Sequence, residues 1–359
     1  MLAELLGRKN ALLIGVDIGS HSIKSVLLEN TDAGYKLLQC AIDTLPKDAV
    51  NERDLQDIEA IGKVLSRLRK KFPKQYKQVS VAVSGSTVIT KTIFMDASFS
   101  DDELASQIEI EADSLIPYPI EEVSLDFERM GENAADPSKV NILLSAARTE
   151  SVESRVAALE IAGWSAKVVD VESYALSRAY DLCQQQVPEE YQDGLIGVVD
   201  IGANMTLMSV MKSGEILYTR DQSFGGDVYT KNIINYYGKT PEEAELAKQH
   251  SELPEGYQFE VLAPFQTAVV QQIRRAIQMF LTAHTEEKLD FIILSGGTAL
   301  VEGIQQIIED ELGIACAIAE PISNLEIDSG IDLELVKKHE PKYMVAAGLA
   351  MRSFSECHI

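Results

Sequence analysis

Leu12-Leu13-Ile14-Gly15-Val16-Asp17-Ile18-Gly19 and Ile196-Gly197-Val198-Val199-Asp200-Ile201-Gly202 are two apolar runs that end in the same Asp-Ile-Gly. An apolar run closed by a turn signal reads as a buried strand. Each is followed by two further strand-like runs, residues 22–29 and 35–43 in the first half and 205–212 and 215–222 in the second. The meander then gives way to a helix and another strand in both halves. In the first, residues 54–72 carry Ile58, Ile61, Leu65 and Leu68 at helical spacing and 79–83 is the strand. In the second, residues 264–283 carry Val269, Ile273, Ile277 and Phe280 on one face and 291–294 is the strand. A duplicated pattern of this kind predicts two similar α/β units with mixed sheets, each with an insertion.

The first insertion, residues 89–169, reads as a compact α+β module. Ser100 and Glu103 have the spacing of a capping box for a helix that stops before Pro117 and Pro119. Strands over 123–130 and 140–147 follow, then a helix over 151–162 ended by Gly163, then a strand over 166–170. The second insertion, residues 228–261, is mainly helical, with Thr240-Pro241-Glu242-Glu243 as a second capping box carrying proline at the first helical position. No low-complexity linker separates these pieces, so they are expected to pack closely.

Composition narrows the function. The chain has 359 residues, 46% of them hydrophobic, which suits one large or two ordinary folded domains. Its net charge of −24 would be repelled by nucleic-acid phosphates and by anionic lipid, so neither is an expected partner. Cys40, Cys183, Cys316 and Cys357 are far apart and form no C-x-x-C pair, which fits a reducing compartment better than a zinc site or a disulfide framework. The five histidines are scattered, which argues against a metal site built on them. No segment reaches the about 18 apolar residues of a membrane span. Leu2, Leu5 and Leu6 make at most one amphipathic turn, and Trp164 beside Gly163 is expected to be a packing residue.

A strand ending in Asp and Gly, reversing tightly into a second strand, aims backbone N–H groups at phosphate oxygens and turns its carboxylate toward a hydrated magnesium ion. Two such turns facing each other would clamp a triphosphate. Three further features fall where such a cleft needs them. Ser295-Gly296-Gly297-Thr298 follows an apolar strand and is read as opening the helix that ends near Leu312, letting a nucleoside approach the backbone; an ordinary strand-to-helix turn is the plain alternative. Glu245 and Lys248 share a helix face and suit ribose hydroxyls and a purine edge, or else form a solvated ion pair. Lys24 in the strand leaving the first turn is placed to reach β- and γ-phosphates, unless it is simply exposed.

The order Asp17-Ile18-Gly19 … Lys24, Asp170-Val171-Glu172-Ser173-Tyr174-Ala175-Leu176, Asp200-Ile201-Gly202 … Thr206, Ser295-Gly296-Gly297-Thr298 and Ala346-Ala347-Gly348-Leu349-Ala350 resembles the phosphate motifs, connecting helices and adenosine motif of the actin-like ATPase superfamily. With Lys91-Thr92-Ile93, Asp101-Asp102-Glu103-Leu104, Ile116-Pro117-Tyr118-Pro119, Ser223-Phe224-Gly225-Gly226 and Glu243-Ala244-Glu245-Leu246-Ala247-Lys248, the whole chain resembles the PilM family, the FtsA-like proteins of type IV pilus assembly.

That resemblance implies an actin-like two-lobe fold of two RNase H-like units. Subdomain 1A would comprise 1–88, 170–192 and 322–359, and an FtsA-type α+β subdomain 1C would comprise 89–169. Subdomain 2A would comprise 193–227 and 286–321, and the small helical subdomain 2B would be 228–285. It implies ATP or ADP with Mg2+ between the lobes. Asp17, Gly19, Ser20, Ser22 and Lys24 would form the first phosphate loop and Asp200, Gly202 and Thr206 the second. Gly226, Gly296, Gly297 and Thr298 would contact the nucleoside, and Glu245 and Lys248 would clamp the purine side. Asp17 and Asp200 would face magnesium through water, and Glu172 would position the attacking water.

The implied role is a cytoplasmic scaffold, peripheral to the inner membrane, that binds the N-terminal cytoplasmic tail of the membrane protein PilN in a groove between 1A and 1C. Pilus motor ATPases, the platform protein and self-association complete the partners. Pro117-Tyr118-Pro119 would either border that groove or merely end a helix. His21 and Ala203-Asn204-Met205 stand where hydrolytic members carry smaller residues, so turnover is expected to be slow or absent, with nucleotide holding the lobes closed. The alternatives are a small-molecule kinase, for which no acceptor base is assignable, and an FtsA-like filament former. The sequence ends at Ile359 without an amphipathic anchor helix, so attachment through a partner is expected.

Overall fold

The computed structural model describes residues 12–51, 53–84, 88–133, 135–250, 253–254, 256–284 and 288–355, so Leu2, Leu5, Leu6 and Cys357 lie outside the described residues. The chain begins with β1 (Ile14–Ile18), β2 (Ser22–Thr31) and β3 (Gly34–Thr44), followed by a small ladder of β4 (Val50–Asn51) with β5 (Asp54–Leu55), then α1 (Ile58–Arg69) and β6 (Gln78–Val83). Next come β7 (Val88–Asp96), α2 (Asp101–Leu115), β8 (Val123–Glu132) and β9 (Lys139–Arg148). The path continues through α3 (Thr149–Ile161), β10 (Ser165–Val171) and α4 (Glu172–Tyr180). The second half holds β11 (Ile196–Ile201), β12 (Thr206–Lys212), β13 (Glu215–Gln222), α5 (Asp227–Tyr237), α6 (Pro241–His250), α7 (Ala263–Ala283) and β14 (Phe291–Ser295). It ends with α8 (Ile304–Leu312), β15 (Ala315–Ile318), β16 (Glu326–Ile327), α9 (Leu333–Lys337) and α10 (Met344–Ala350).

The duplication is plain in the sheets. The first runs β10-β6-β1-β2-β3-β16 and the second β13-β12-β11-β14-β15, each with an antiparallel meander on one side of its central strand and parallel strands on the other. Helix α1 begins at Ile58, where its apolar spacing begins, and not at 54 as expected, because β4 and β5 pair first and Asp57 then caps it, its Oδ1 accepting from Ala60 N at 2.9 Å. Ile61, Leu65 and Leu68 are fully buried against the first sheet, each contributing about 2 kcal/mol. Trp164 joins the same core, edge-on to Phe72.

Both capping boxes form: Ser100 N donates to Glu103 Oε2 at 2.8 Å and Thr240 N to Glu243 Oε2 at 2.8 Å. The insertion in the first lobe is shorter than the 89–169 expected. A separate three-stranded sheet, β7-β9-β8, with α2 makes up the module, whereas α3 packs on α1 and β10 pairs with β6 in the main sheet. The parallel pairing Val169↔Val81 extends the buried sheet by one strand, which the local pattern of the sequence does not reveal. Among the described residues no helix is long and apolar enough to cross a membrane.

Helices α4 and α10 pack between the two sheets in one apolar cluster with β11, β12 and β14. Gly15 on β1 and Gly348 on α10 permit this: a Cβ on Gly15 would strike the Ala346 carbonyl, and one on Gly348 the Ala175 carbonyl. This junction leaves the ends of β1 and β11 facing one cleft.

Candidate functional site

The two Asp-Ile-Gly turns fold alike. Gly19 N donates to Ser22 O at 3.2 Å, and Gly202 N to Met205 O at 2.8 Å. Strand register sets Asp17 opposite Lys24 in one hairpin and Asp200 opposite Leu207 in the other. Both turns open on a cleft of about 840 Å³, within the usual size of a ligand site. Its walls include Asp17, Gly19, Ser20, Ser22, Lys24 and Glu172 from the first lobe, and Asp200, Gly202, Gly226, Glu245, Lys248, Gly296, Gly297 and Thr298 from the second.

Thr206 is the exception. Side chains alternate along a strand, so Met205 and Leu207 face the cleft while Thr206 points away and donates its hydroxyl to Phe224 O at 2.9 Å. It thereby supports the Phe224-Gly225-Gly226 bend without lining the cleft. The helix expected directly after Gly297 also differs. Gly297–Leu300 is a single 3-10 turn, Gly303 has φ 67°, and α8 begins only at Ile304, so the α8 N-terminus does not follow the glycines.

The backbone comes bare to the cleft at the adenosine-type motif. Gly296 has φ +86°, and a Cβ there would run into the Ile201 carbonyl. Gly202 O accepts from Gly226 N at 3.0 Å and from Thr298 Oγ1 at 3.1 Å, joining three chain segments at the second turn. Glu245 and Lys248 form a contact of 2.6 Å that also engages Thr230, whose hydroxyl donates to Glu245 Oε1 at 2.7 Å. The pair is partly buried and its ammonium lies 5.8 Å from the centre of the Tyr229 ring, so it belongs to the cleft wall rather than to a solvated face.

Charge is concentrated here. Lys24 Nζ lies 2.9 Å from Asp17 Oδ2; burial disfavours its charge, but Asp17, with Asp200 and Glu172 beyond, outweighs burial and raises its pKa. Burial raises Asp200, while the Ser295 hydroxyl, donating at 2.8 Å, and Lys24 oppose the rise. Burial pushes Glu172 up to about 7, with Asp17, Asp200 and Asp221 adding to the effect and Arg53 opposing it. Among the described residues no group of three or more His, Cys, Asp or Glu is arranged to hold a metal ion directly.

Among the cleft residues that escape the sequence reading, Arg53 and Lys342 carry charge into the site. Arg53 Nη1 sits 3.3 Å from Glu172 Oε2 and 3.1 Å from Asp221 Oδ2. Lys342 lies against Gly297 and has its pKa lowered by burial and by Lys24 and Lys248. Arg53 is a lone basic residue in a turn, and Lys342 follows Lys337, Lys338 and His339 in a short turn; neither belongs to a motif.

A family model described as type IV pilus assembly protein PilM matches residues 15–354. In three dimensions the chain is similar to a solved PilM-PilN type IV pilus biogenesis complex, with TM-score 0.80 at 23% identity, covering 96% of this chain and 99% of that one. It is also similar to the ethanolamine utilization protein EutJ of Carboxydothermus hydrogenoformans, with TM-score 0.55 at 16% identity, covering 94% and 89%. By sequence it resembles the cell shape-determining protein MreB of Escherichia coli (strain K12), 25% identical over 179 residues, which is 40% of this chain and 51% of that protein. The chain thus spans about half the length of the curated relatives it matches. The architecture is the actin-like two-lobe fold that the resemblance implies, built on the two similar α/β units expected from the duplicated strands.

Proposed function

The chain belongs to the type IV pilus assembly protein PilM family, and from that premise we propose that it is a cytoplasmic, nucleotide-binding scaffold of pilus assembly. The observation that carries the nucleotide reading is the convergence of both Asp-Ile-Gly turns and the bare Gly296-Gly297 backbone on one cleft. Glycines whose Cβ would be blocked leave two N–H-bearing turns open to a phosphate chain, which fits ATP or ADP. Lys24 neutralises phosphate charge, Glu245 and Lys248 take the ribose, and Lys342 beside Gly297 covers the base. Asp17 and Asp200 would hold a magnesium ion through water, and the ion would supply charge neutralisation to the phosphates. Glu172 is the residue for orienting water, and its burial together with Asn204 at the second turn supports slow hydrolysis.

The scaffold reading adds a partner. The similar solved structure is of a PilM-PilN complex, and we take the partner of this chain to be the N-terminal cytoplasmic tail of a PilN-type membrane protein, held in a groove between subdomains 1A and 1C. The β7-β9-β8 module with Pro117-Tyr118-Pro119 forms one side of that groove. Such a tail brings the protein to the inner membrane and within reach of the motor ATPases, the platform protein and further copies of itself. Fluorescence polarisation of a PilN-type N-terminal peptide, with and without Mg-ATP, tests the scaffold reading. Binding in either condition supports the scaffold, and absence of binding in both overturns it.

A further inference from the structure

Arg53 stands in the turn between β4 and β5 and lines the cleft. Its Nη1 reaches Glu172 at the start of α4 in the first lobe and Asp221 on β13 in the second. The Arg53 and Asp221 side chains are only 10% and 11% exposed, so the pair that joins the lobes is largely withdrawn from water. It is also incompletely made. Arg53 Nε and Asp221 Oδ1 are buried, and neither has a hydrogen-bond partner among the described residues. A guanidinium and a carboxylate satisfy each other best through two parallel bonds. One donor and one acceptor are left over on the same pair, and because Nε and Nη1 diverge on the guanidinium they cannot grip one carboxylate together, so a single-point contact holds the lobes.

The turn is held from behind. Arg155 on α3 donates from Nη2 to Arg53 O at 3.0 Å, from Nε to Ala82 O at 2.7 Å and from Nη1 to Ser151 O at 2.8 Å. Arg155 is 5% exposed, an unusual burial for an arginine, and three carbonyls fix its fork. Helix α3 starts at Thr149, directly after β9 ends at Arg148, so the three-stranded module runs without a linker into the helix that pins the Arg53 turn.

We propose that Arg53 is a positioning residue that ties the second lobe to Glu172 and sets lobe closure according to where α3 holds its turn. The two arrangements are the single-point Arg53–Asp221 contact seen here and its release in a wider cleft. A ligand or partner that shifts α3 biases the choice, since coupling requires a two-state element that both sites can bias. The inference deepens the nucleotide reading by naming what regulates the cleft. It rests on that reading only for its effect on nucleotide release.

Spin labels carried on p-acetylphenylalanine at Lys63 and Glu215, both exposed and on opposite lobes, report the inter-lobe distance by double electron–electron resonance in the nucleotide-free protein. Arg53→Ala and Asp221→Asn broaden the distance distribution, and Arg53→Lys, which keeps a charged donor, narrows it again. Arg155→Lys, unable to hold three carbonyls, broadens it as well. Dissociation of fluorescent mant-ADP accelerates about fivefold or more in Arg53→Ala and returns toward the wild-type rate in Arg53→Lys. Unchanged distributions in Arg53→Ala and Asp221→Asn, with folding verified by circular dichroism, overturn the proposal. A wild-type protein that binds no mant-ADP overturns the nucleotide reading instead, and the distance arm still decides the role of Arg53.

Discussion

Gly348 of α10 lies against the backbone carbonyl of Ala175 of α4, with no room for a side chain between the two helices. The contact is reinforced by Arg178, whose Nη1 donates to Gly348 O at 2.9 Å and to Asp170 Oδ2 at 3.0 Å. Because these helices pack between the sheets, prying them apart disturbs both lobes. Gly348→Ala is expected to cost about 3 kcal/mol through overpacking, read as a lower melting temperature. A variant as stable as the parent would show that the crossing yields.

Glu172 gives the cleft a pH signature. Its pKa rises from 4.5 to about 7, chiefly through burial. The folded protein therefore binds this proton more tightly than the unfolded chain does. The resulting stability is fully present below pH 4.5 and lost as pH rises through 7. Glu172→Gln removes the titration, so the parent should lose on the order of 2 kcal/mol relative to the variant across that window. Urea denaturation at several pH values measures the difference, and a constant difference contradicts the assignment.

Lys24→Met strands Asp17 without its partner. The stability loss should be about 3 kcal/mol, the scale for breaking a pair withdrawn from water. Combining it with Asp17→Asn should recover stability, since no buried charge is then left alone, but should not recover Mg-ATP affinity. Calorimetric titration separates the two effects. Unimpaired ATP binding by Lys24→Met would remove Lys24 from the phosphate site.

At the expected peptide groove, the Arg148 guanidinium sits 4.8 Å from the centre of the Tyr118 ring, and Tyr118 is 38% exposed. Tyr118→Ala should weaken binding of a PilN-type tail by about 1–2 kcal/mol. Membrane-adjacent cytoplasmic tails are rich in Lys and Arg, and this chain carries −24, so affinity should fall as salt rises. Affinity indifferent to salt would leave recognition to apolar contacts.

The architecture was legible because the two Asp-Ile-Gly strands announce themselves twice, and the capping boxes at Ser100 and Thr240 mark helix starts by purely local chemistry. Strand β7 was less so: Val88, Ile89, Thr90, Lys91 and Thr92 lack clear alternation, and pairing with β9 decides their state. The β10–β6 pairing is likewise a long-range contact that leaves no local trace. At the site, glycines and acidic strand ends were visible as motifs. Thr206 was misread because strand alternation about Asp200 turns it away from the cleft. Arg53 and Lys342 were missed because tertiary folding alone brings them there; Arg155, which makes the Arg53 turn stiff, is more than a hundred residues away from it.

The matched registers Asp17↔Lys24 and Asp200↔Leu207 carry one last implication. Two copies of one hairpin facing each other form a receptacle with approximate two-fold symmetry, indifferent to which end of an extended anion enters first. Placing an ammonium at one of two equivalent stations and a leucine at the other abolishes that indifference. The receptacle acquires a head and a tail, and a polyphosphate bound there would have one preferred direction. Among the positions from Asp17 to Lys24 at which the two copies have diverged, this one alone places a charge that would give polarity to an otherwise reversible grip.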